Sequence, residues 1–439
     1  MKKLIYAAVF VGAVAVTALV TWLLVSISGR KAEEKISYFP LAEVAPLEPD
    51  PEPWGRNFPR QYDAFKKTMK TSEMEDYSVY GRYGGSESFS KLEKTPALKR
   101  LFAGYGFAVA YDEDRGHMSA LDDMLKTERL KGKKAGPCMT CKTSQVPGLM
   151  ETIGPEKFYA TPVLDLVKTY DIKYTIGCAD CHEAGTMALT VTRPAFREAM
   201  AARGVDLAEA TRQEMRTYVC GQCHTEYYFK GEGNYLTFPW AGGFTIEEIE
   251  RYYDDAEFRD WLHAETGAPL VKMQHPEFEL WSTGVHARAG VSCADCHMPY
   301  KREGAMKISD HWVRTPLANV GPACTTCHRE SESEMRERVL EIQDRTFELM
   351  NRAEAALIAA QDRILAARDT GVPDEELAEA LALQRRAFIR YDFISAENSM
   401  GFHSPQESAR ILGDAVDYAR QAELAAYRVM APVPEMLPR

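Results

Sequence analysis

Residues 136–144 read GPCMTCKTS. Cys138 and Cys141 stand three apart, and the residue that follows them is Lys142. Four more pairs with the same spacing follow, each trailed by histidine: CADCH at 178–182, CGQCH at 220–224, CADCH at 293–297 and CTTCH at 324–328. Together the five pairs use all ten cysteines of the chain. C-x-x-C alone is shared by zinc sites, redox dithiols and haem. C-x-x-C-H is the attachment motif of c-type haem, in which two thiols bond the vinyl groups and the histidine ligates iron. Zinc ribbons have no need of a histidine directly after each pair, yet four of only ten histidines sit there. The expectation is five covalently bound haem c groups, held by Cys138 and Cys141, Cys178 and Cys181, Cys220 and Cys223, Cys293 and Cys296, and Cys324 and Cys327. For the first loop the alternative is a degraded haem site, or a dithiol beside an unrelated lysine.

Haem attachment of this kind takes place outside the bacterial cytoplasm, so the chain needs an export signal. Leu4 to Ile27 form an uninterrupted apolar run of 24 residues behind Lys2 and Lys3. About 20 suffice to span a bilayer, and a cleavable signal has a shorter apolar core with a small-residue exit. The expectation is an uncleaved signal-anchor over 1–30, with its lysines cytoplasmic and the rest outside. The alternative is a soluble periplasmic protein after cleavage. The proline-rich stretch PLEPDPEPWGRNFPR within 31–60 reads as an extended linker. All cysteine pairs fall in 61–330, at uneven intervals that exclude a solenoid period. A formal charge of −11 argues against nucleic acid as a partner.

The pattern changes after His328. Met335, Val339, Ile342, Thr346, Leu349, Ala353 and Ala356 recur at alternating steps of four and three, which predicts a helix over 331–369. Gly371 and Pro373 break it, a second helix follows from about Pro373 to near Asn398, and Ser404-Pro405 opens a third with Glu407 placed for a capping box. The seam suits intrachain packing or a subunit interface. Residues 61–330 contain no convincing alternating strand series. The fold class expected is mainly α: a multihaem cytochrome c fold with short helices and long loops around five haems, and long C-terminal helices over 331–439.

Histidine arithmetic sharpens the odd loop. His182, His224, His297 and His328 are proximal, which leaves His117, His263, His275, His286, His311 and His403. Four bis-histidine haems consume four of these and leave two. The lysine haem then needs no distal protein ligand, and iron with an open position binds substrate.

One C-x-x-C-K followed by four C-x-x-C-H resembles the ammonia-forming cytochrome c nitrite reductases, periplasmic pentahaem enzymes. RGHM at 115–118, CHTEYYF at 223–229, KMQHPEFE at 272–279 and the late His403 extend the likeness over about residues 60–410. The resemblance implies six-electron reduction of nitrite to ammonium. It makes Lys142 the proximal ligand of the catalytic haem, and it pairs His117 with His224, His311 with His182, His403 with His297 and His286 with His328. His263 is left as a surface or packing residue. Arg129, Tyr227 and His275 form the distal pocket; if 118–129 is helical, Arg129 stands about 18 Å along it from His117. A calcium ion is implied at Glu226, Gln274 and the carbonyls of Tyr227 and Lys272, an all-oxygen set that suits a hard cation. The implied partners are a membrane tetrahaem quinol dehydrogenase or a soluble pentahaem carrier as electron donor, and a second copy of the chain as a homodimer. Ser119, where relatives often carry an aromatic residue, and the anchor are departures. The competing readings are a non-enzymatic electron-transfer cytochrome and a related reductase of hydroxylamine or sulfite.

Overall fold

A computed structural model describes residues 1–36, 40–69, 83, 88–130, 136–304 and 306–430. It divides into two units, Met1–Glu43 and Val44–Arg439. The first carries the helix Lys2–Ile36. Its segment Lys2–Arg30 contains an 18-residue stretch with a mean hydropathy of 2.4 and is long and apolar enough to cross a membrane.

The second unit is mainly helical, as the patterning predicts. Among the described residues its strands form three antiparallel two-stranded hairpins: β1 (Tyr228–Lys230) with β2 (Tyr235–Thr237), β3 (Trp261–Leu262) with β4 (Pro269–Leu270), and β5 (Tyr300–Glu303) with β6 (Met306–Ser309). Short helices and turns connect them.

Residues 51–60 differ from the extended linker expected there. Pro51–Asn57 and Pro59–Lys66 are helical. The prolines that read as a spacer occupy first-turn positions, where a missing N–H costs nothing. Asp50 caps the first helix by accepting from the Glu52 amide at 2.9 Å. Trp54 is 2 % exposed, and its indole donates to Glu48 O at 3.1 Å. The Ser144 hydroxyl donates to Pro49 O at 2.7 Å, which joins this segment to the first cysteine loop.

Three long helices close the chain: Glu332–Asp369, Ala378–Ala396 and Pro405–Met430. Ser331 and Glu334 form a capping box at the start of the first. Gly371, with φ of 89°, ends it in the left-handed region. Pro405 opens the third helix; the Glu407 carboxylate engages Arg410 on its own helix. Ala353, Ala356, Ala360, Ala387, Ala415 and Ala419 are fully buried, so the three backbones approach closely where a larger side chain would hold them apart. Met335, Val339, Thr346, Ala353 and Ala356 of the predicted seam are buried within their own chain, and Ile342 and Leu349 are half-buried. Against this bundle packs an aromatic cluster. Phe102 meets Phe388 edge-on at 5.3 Å and stacks on Trp261 at 5.9 Å. A second core of Met139, Val146, Phe158, Phe196, Trp240 and Phe278 lies around the early cysteine loops.

Candidate active site

In C-x-x-C-H the three ligating positions are i, i+3 and i+4, which share one face of a helical turn. The backbone supplies that turn. The amides of His182, His224 and His328 each donate to the carbonyl of the first cysteine of their motif at 2.9 Å, and Cys293–His297 is itself helical. The lysine loop closes on a different carbonyl. Gly136–Met139 is a 3-10 turn, and the Lys142 amide donates to Met139 O at 3.0 Å. None of the ten cysteines is paired in a disulfide. The Cys141 thiol lies beside Cys223, and Cys220 beside Cys293, so the first, third and fourth loops are neighbours in that order.

Four histidine pairs face each other across these loops. Ring centres are 6.3 Å apart for His117 and His224, 6.2 Å for His182 and His311, 6.2 Å for His286 and His328, and 6.4 Å for His297 and His403. Two metal–nitrogen bonds of about 2 Å, plus the ~1 Å from each nitrogen to its ring centre, sum to about 6 Å. The gap therefore fits one iron between each pair, with thiols alongside to hold its porphyrin. Several rings are also locked through Nδ1: His182 on Met187 O at 3.0 Å, His297 on Arg314 O at 3.1 Å, His311 on Ser309 O at 3.0 Å and His403 on the Glu397 carboxylate at 2.5 Å. A proton held on Nδ1 leaves Nε2 as the metal-binding lone pair.

Eight histidines are thus paired, and His263 and His275 remain. His263 is 1 % exposed and tied into the fold, with Nε2 at 2.8 Å from Arg100 O and Nδ1 at 3.2 Å from the Thr266 amide. It is a packing residue. Lys142 has no histidine of its own across the loop. Its Nζ donates to Asp114 Oδ2 at 2.6 Å. Burial opposes charge on both groups; the contact with Lys142 outweighs it and holds the Asp114 carboxyl below the usual range.

Arg129 is not on a helix continuous with His117. The helix spans Ala120–Lys126, Thr127 turns to extended backbone, and a 3-10 turn Glu128–Leu130 follows. The reach of about 18 Å expected for one helix therefore does not apply. Arg129 lies with its guanidinium carbon 4.0 Å over the Phe107 ring, and among the described residues its Nη1 is buried without a hydrogen-bond partner. A buried, unsatisfied guanidinium nitrogen is costly unless an anion completes it. His275 Nδ1 is 3.9 Å from Glu277 Oε1, as is His224 Nδ1. Desolvation lowers His275 to about 4 although part of the ring reaches solvent, while Glu277 pulls the other way. Desolvation raises Tyr227 well above the phenol range, so it keeps its proton.

Glu226, Lys272 and Gln274 meet behind the pocket. Glu226 is fully buried; Oε2 accepts from the Gln274 amide at 2.5 Å and Oε1 from the Tyr253 hydroxyl at 2.7 Å. The Gln274 side chain donates to Lys272 O at 3.2 Å. The Lys272 ammonium is turned away, paired with Asp392 at 3.0 Å. Burial drives the Glu226 carboxyl well above its ordinary value, and the fully buried Glu279 is pushed up to about 7 by the same cause. Two buried carboxyls with raised affinity for protons are what a bound cation would relieve. Among the described residues no three His, Cys, Asp or Glu side chains cluster as a metal site. The oxygens gathered here are one carboxylate, one side-chain amide and backbone carbonyls. Asp114, Glu279 and Glu397 were not singled out from the sequence. Glu279 sits inside the quoted KMQHPEFE, but its three donors, the Thr225 hydroxyl, the Glu226 amide and the Trp240 indole, come from distant segments.

The chain is similar to known proteins over most of its length. Cytochrome c-552 of Bacteroides fragilis is 44% identical over 431 residues, covering 96% of this chain and 86% of the relative. That of Parabacteroides distasonis is 41% identical, covering 96% and 85%. Among solved structures, the cytochrome c nitrite reductase from Desulfovibrio desulfuricans, whose catalytic subunit has two calcium sites, superposes with a TM-score of 0.81. It shares 32% identity and covers 89% of this chain and 88% of that one. The family model of cytochrome c552 matches residues 50–435, which hold every cysteine pair and every paired histidine, and the chain belongs to that family, whose cofactor is haem c.

Proposed function

We propose that the chain reduces nitrite to ammonium, taking up six electrons and eight protons and releasing two waters. The observation that carries this reading is the asymmetry among the loops. Four have a histidine facing their own; the Lys142 loop lies near a buried arginine nitrogen with no partner among the described residues. Likeness to the Desulfovibrio desulfuricans nitrite reductase supports the substrate.

Haem c bound at the five loops supplies iron for substrate binding at the lysine loop and electron storage at the other four. Lys142 is the proximal ligand in this reading, and the paired histidines hold the remaining irons. The chain's own residues do the rest. Arg129 neutralises and hydrogen-bonds the anion's oxygens, where charge builds as electrons arrive. His275 supplies protons to those oxygens, without which water is a poor leaving group. Tyr227, held as the neutral phenol, is a further donor. Calcium bound by Glu226, Gln274 and the carbonyls of Tyr227 and Lys272 would keep the Glu226 carboxylate ionised and fix the backbone that carries Tyr227 and His275.

The apolar N-terminal helix supports attachment to the membrane with the haem region on the periplasmic side. An anchored enzyme favours a membrane tetrahaem quinol dehydrogenase as donor over a soluble pentahaem carrier. Leu424 and Tyr427, exposed at 46% and 52% and one turn apart on the third long helix, support pairing of two copies there. The test is steady-state reduction of nitrite by reduced viologen with ammonium measured as product. Ammonium in a one-to-six ratio to electrons consumed is expected. Absence of ammonium, with all five irons six-coordinate in the resting protein, would leave an electron-transfer cytochrome instead.

A further inference from the structure

Arg193 lies outside every cysteine motif, at the N-cap of the helix Pro194–Ala202, and is fully buried. Its Nε donates to Thr140 O at 2.8 Å and its Nη2 to Thr143 O at 3.3 Å. Those carbonyls stand on either side of Lys142. Its Nη1 forms an ion pair with Asp180 Oδ1 at 2.6 Å and donates to the Thr192 hydroxyl at 2.6 Å. Asp180 belongs to the CADCH loop at 178–182, and its Oδ2 accepts from the Gly177 amide at 2.7 Å. Gln222, inside CGQCH at 220–224, completes the network. Its Oε1 accepts from the amides of Thr192 at 2.9 Å and Arg193 at 3.1 Å, and its Nε2 donates to Asp180 O at 2.9 Å. One guanidinium and one amide therefore bind three of the five haem loops to each other.

A buried guanidinium is tolerated only when its donors and its charge are met, and here a carboxylate and two carbonyls meet them. The planar fork matters. It spans two carbonyls and a carboxylate at fixed angles, which a lysine ammonium cannot do. A second clamp shows how selective this one is. Arg216 Nη2 donates to Asp295 Oδ1 at 2.8 Å and its Nε to the Ser292 hydroxyl at 3.3 Å, at the other CADCH loop, 293–297. It holds a haem loop by the same aspartate position but touches neither side of Lys142.

We propose that Arg193 is the positioning residue of the lysine loop. It pins the backbone on both sides of Lys142, sets the reach of the amine toward the iron, and keeps that loop at fixed separation from the two loops at 178–182 and 220–224. This rests on reading Lys142 as the proximal ligand.

The test uses the full-length, haem-loaded protein carrying Arg193→Met, Arg193→Lys or Asp180→Asn, with Arg216→Lys and Lys142→His alongside. Covalent haem content, the ferric spin-state signals, the potential of the lysine centre and nitrite kinetics are measured. Arg193→Met is expected to keep five haems, to alter the signal and potential of the lysine centre, and to lower kcat about tenfold with KM changed by less than about twofold. Arg193→Lys keeps the charge and loses the fork, so it is expected to resemble Arg193→Met. Arg216→Lys is expected to leave the lysine-centre signal at its parental form. A five-haem Arg193→Met with parental signal and kcat overturns the proposal. So does full rescue by Arg193→Lys, which would make the role purely one of charge, or an equal disturbance from Arg216→Lys, which would make it general loosening. If Arg193→Met does not accumulate, Arg193→Lys and Asp180→Asn decide by the same signals. The underlying reading fails separately: Lys142→His with an unchanged lysine-centre signal sinks it, whereas a changed Lys142→His beside unchanged Arg193 variants sinks only the role of Arg193.

Discussion

The Cys138 loop and the four C-x-x-C-H loops share the spacing of their thiols and differ in what stands opposite. Across each histidine loop is a second imidazole, 6.2 to 6.4 Å away ring to ring, and in several pairs oriented by a backbone carbonyl or carboxylate. Near the lysine loop are Asp114, the unpartnered Arg129 nitrogen and His275. The thiol spacing therefore says where a haem is attached, and the opposite face says what it is for. A saturated iron stores and passes electrons. A face lined with hydrogen-bond donors receives an anion.

The largest break in that contrast is expected from Arg129→Ala. Removing a donor aimed at developing negative charge costs about 10²–10³ in rate. The loss in kcat/KM should be of that order for nitrite and much smaller for uncharged hydroxylamine. Steady-state kinetics on the two substrates measure it, and equal losses on both would contradict a charge-based role. Next in size is Lys142→His, which gives the odd loop the ligand of the others. Five haems should remain attached. Resonance signals of the catalytic iron should change, and nitrite turnover should fall about 10–100-fold. Parental turnover would remove lysine from the argument.

A smaller effect is expected behind the pocket. Chelation of calcium should lower nitrite turnover about tenfold, with recovery on adding calcium but not magnesium, which is smaller and gives up its water reluctantly to a set of one carboxylate, one amide and two carbonyls. Glu226→Gln should abolish the response to chelator. Turnover indifferent to chelator in the parent protein would leave Glu226 and Glu279 without a cation.

Much of this contrast was legible in the sequence, because C-x-x-C-H carries its own geometry: positions i, i+3 and i+4 share one face of a turn. The long helices were legible for the same reason, their apolar period being the helical period. The partner histidines were not. Nothing in the spacing ties His117 to His224 or His286 to His328, and only the resemblance suggested those pairs. Arg193 and Arg216 were illegible too, since each acts on carbonyls and aspartates brought near by the fold. The prolines at 51 and 59 misled, because proline at a helix's first turn and proline in an extended linker look alike without the residues that follow packing somewhere. Trp54 was the available signal: a buried tryptophan does not suit a linker.

The smallest expected effect separates the two kinds of loop most cleanly. His403 Nδ1 lies 2.5 Å from the buried Glu397 carboxylate, whereas His182, His297 and His311 use backbone carbonyls. A carboxylate partner gives its imidazole more anionic character than a carbonyl does. That stabilises the oxidised state of the iron it holds and lowers the potential of that centre. Glu397→Gln keeps an acceptor for Nδ1–H and removes the charge. The bis-histidine haem of His297 and His403 should therefore move to higher potential while the lysine centre keeps its spin-state signal, and nitrite turnover should fall by no more than a few-fold, because Glu397 acts on electron delivery and not on the pocket. Spectropotentiometry resolves the shift. Movement of the lysine centre instead would mean that the proposed division between saturated and substrate-binding loops does not hold, since a change confined to one histidine pair would then have reached the Lys142 loop.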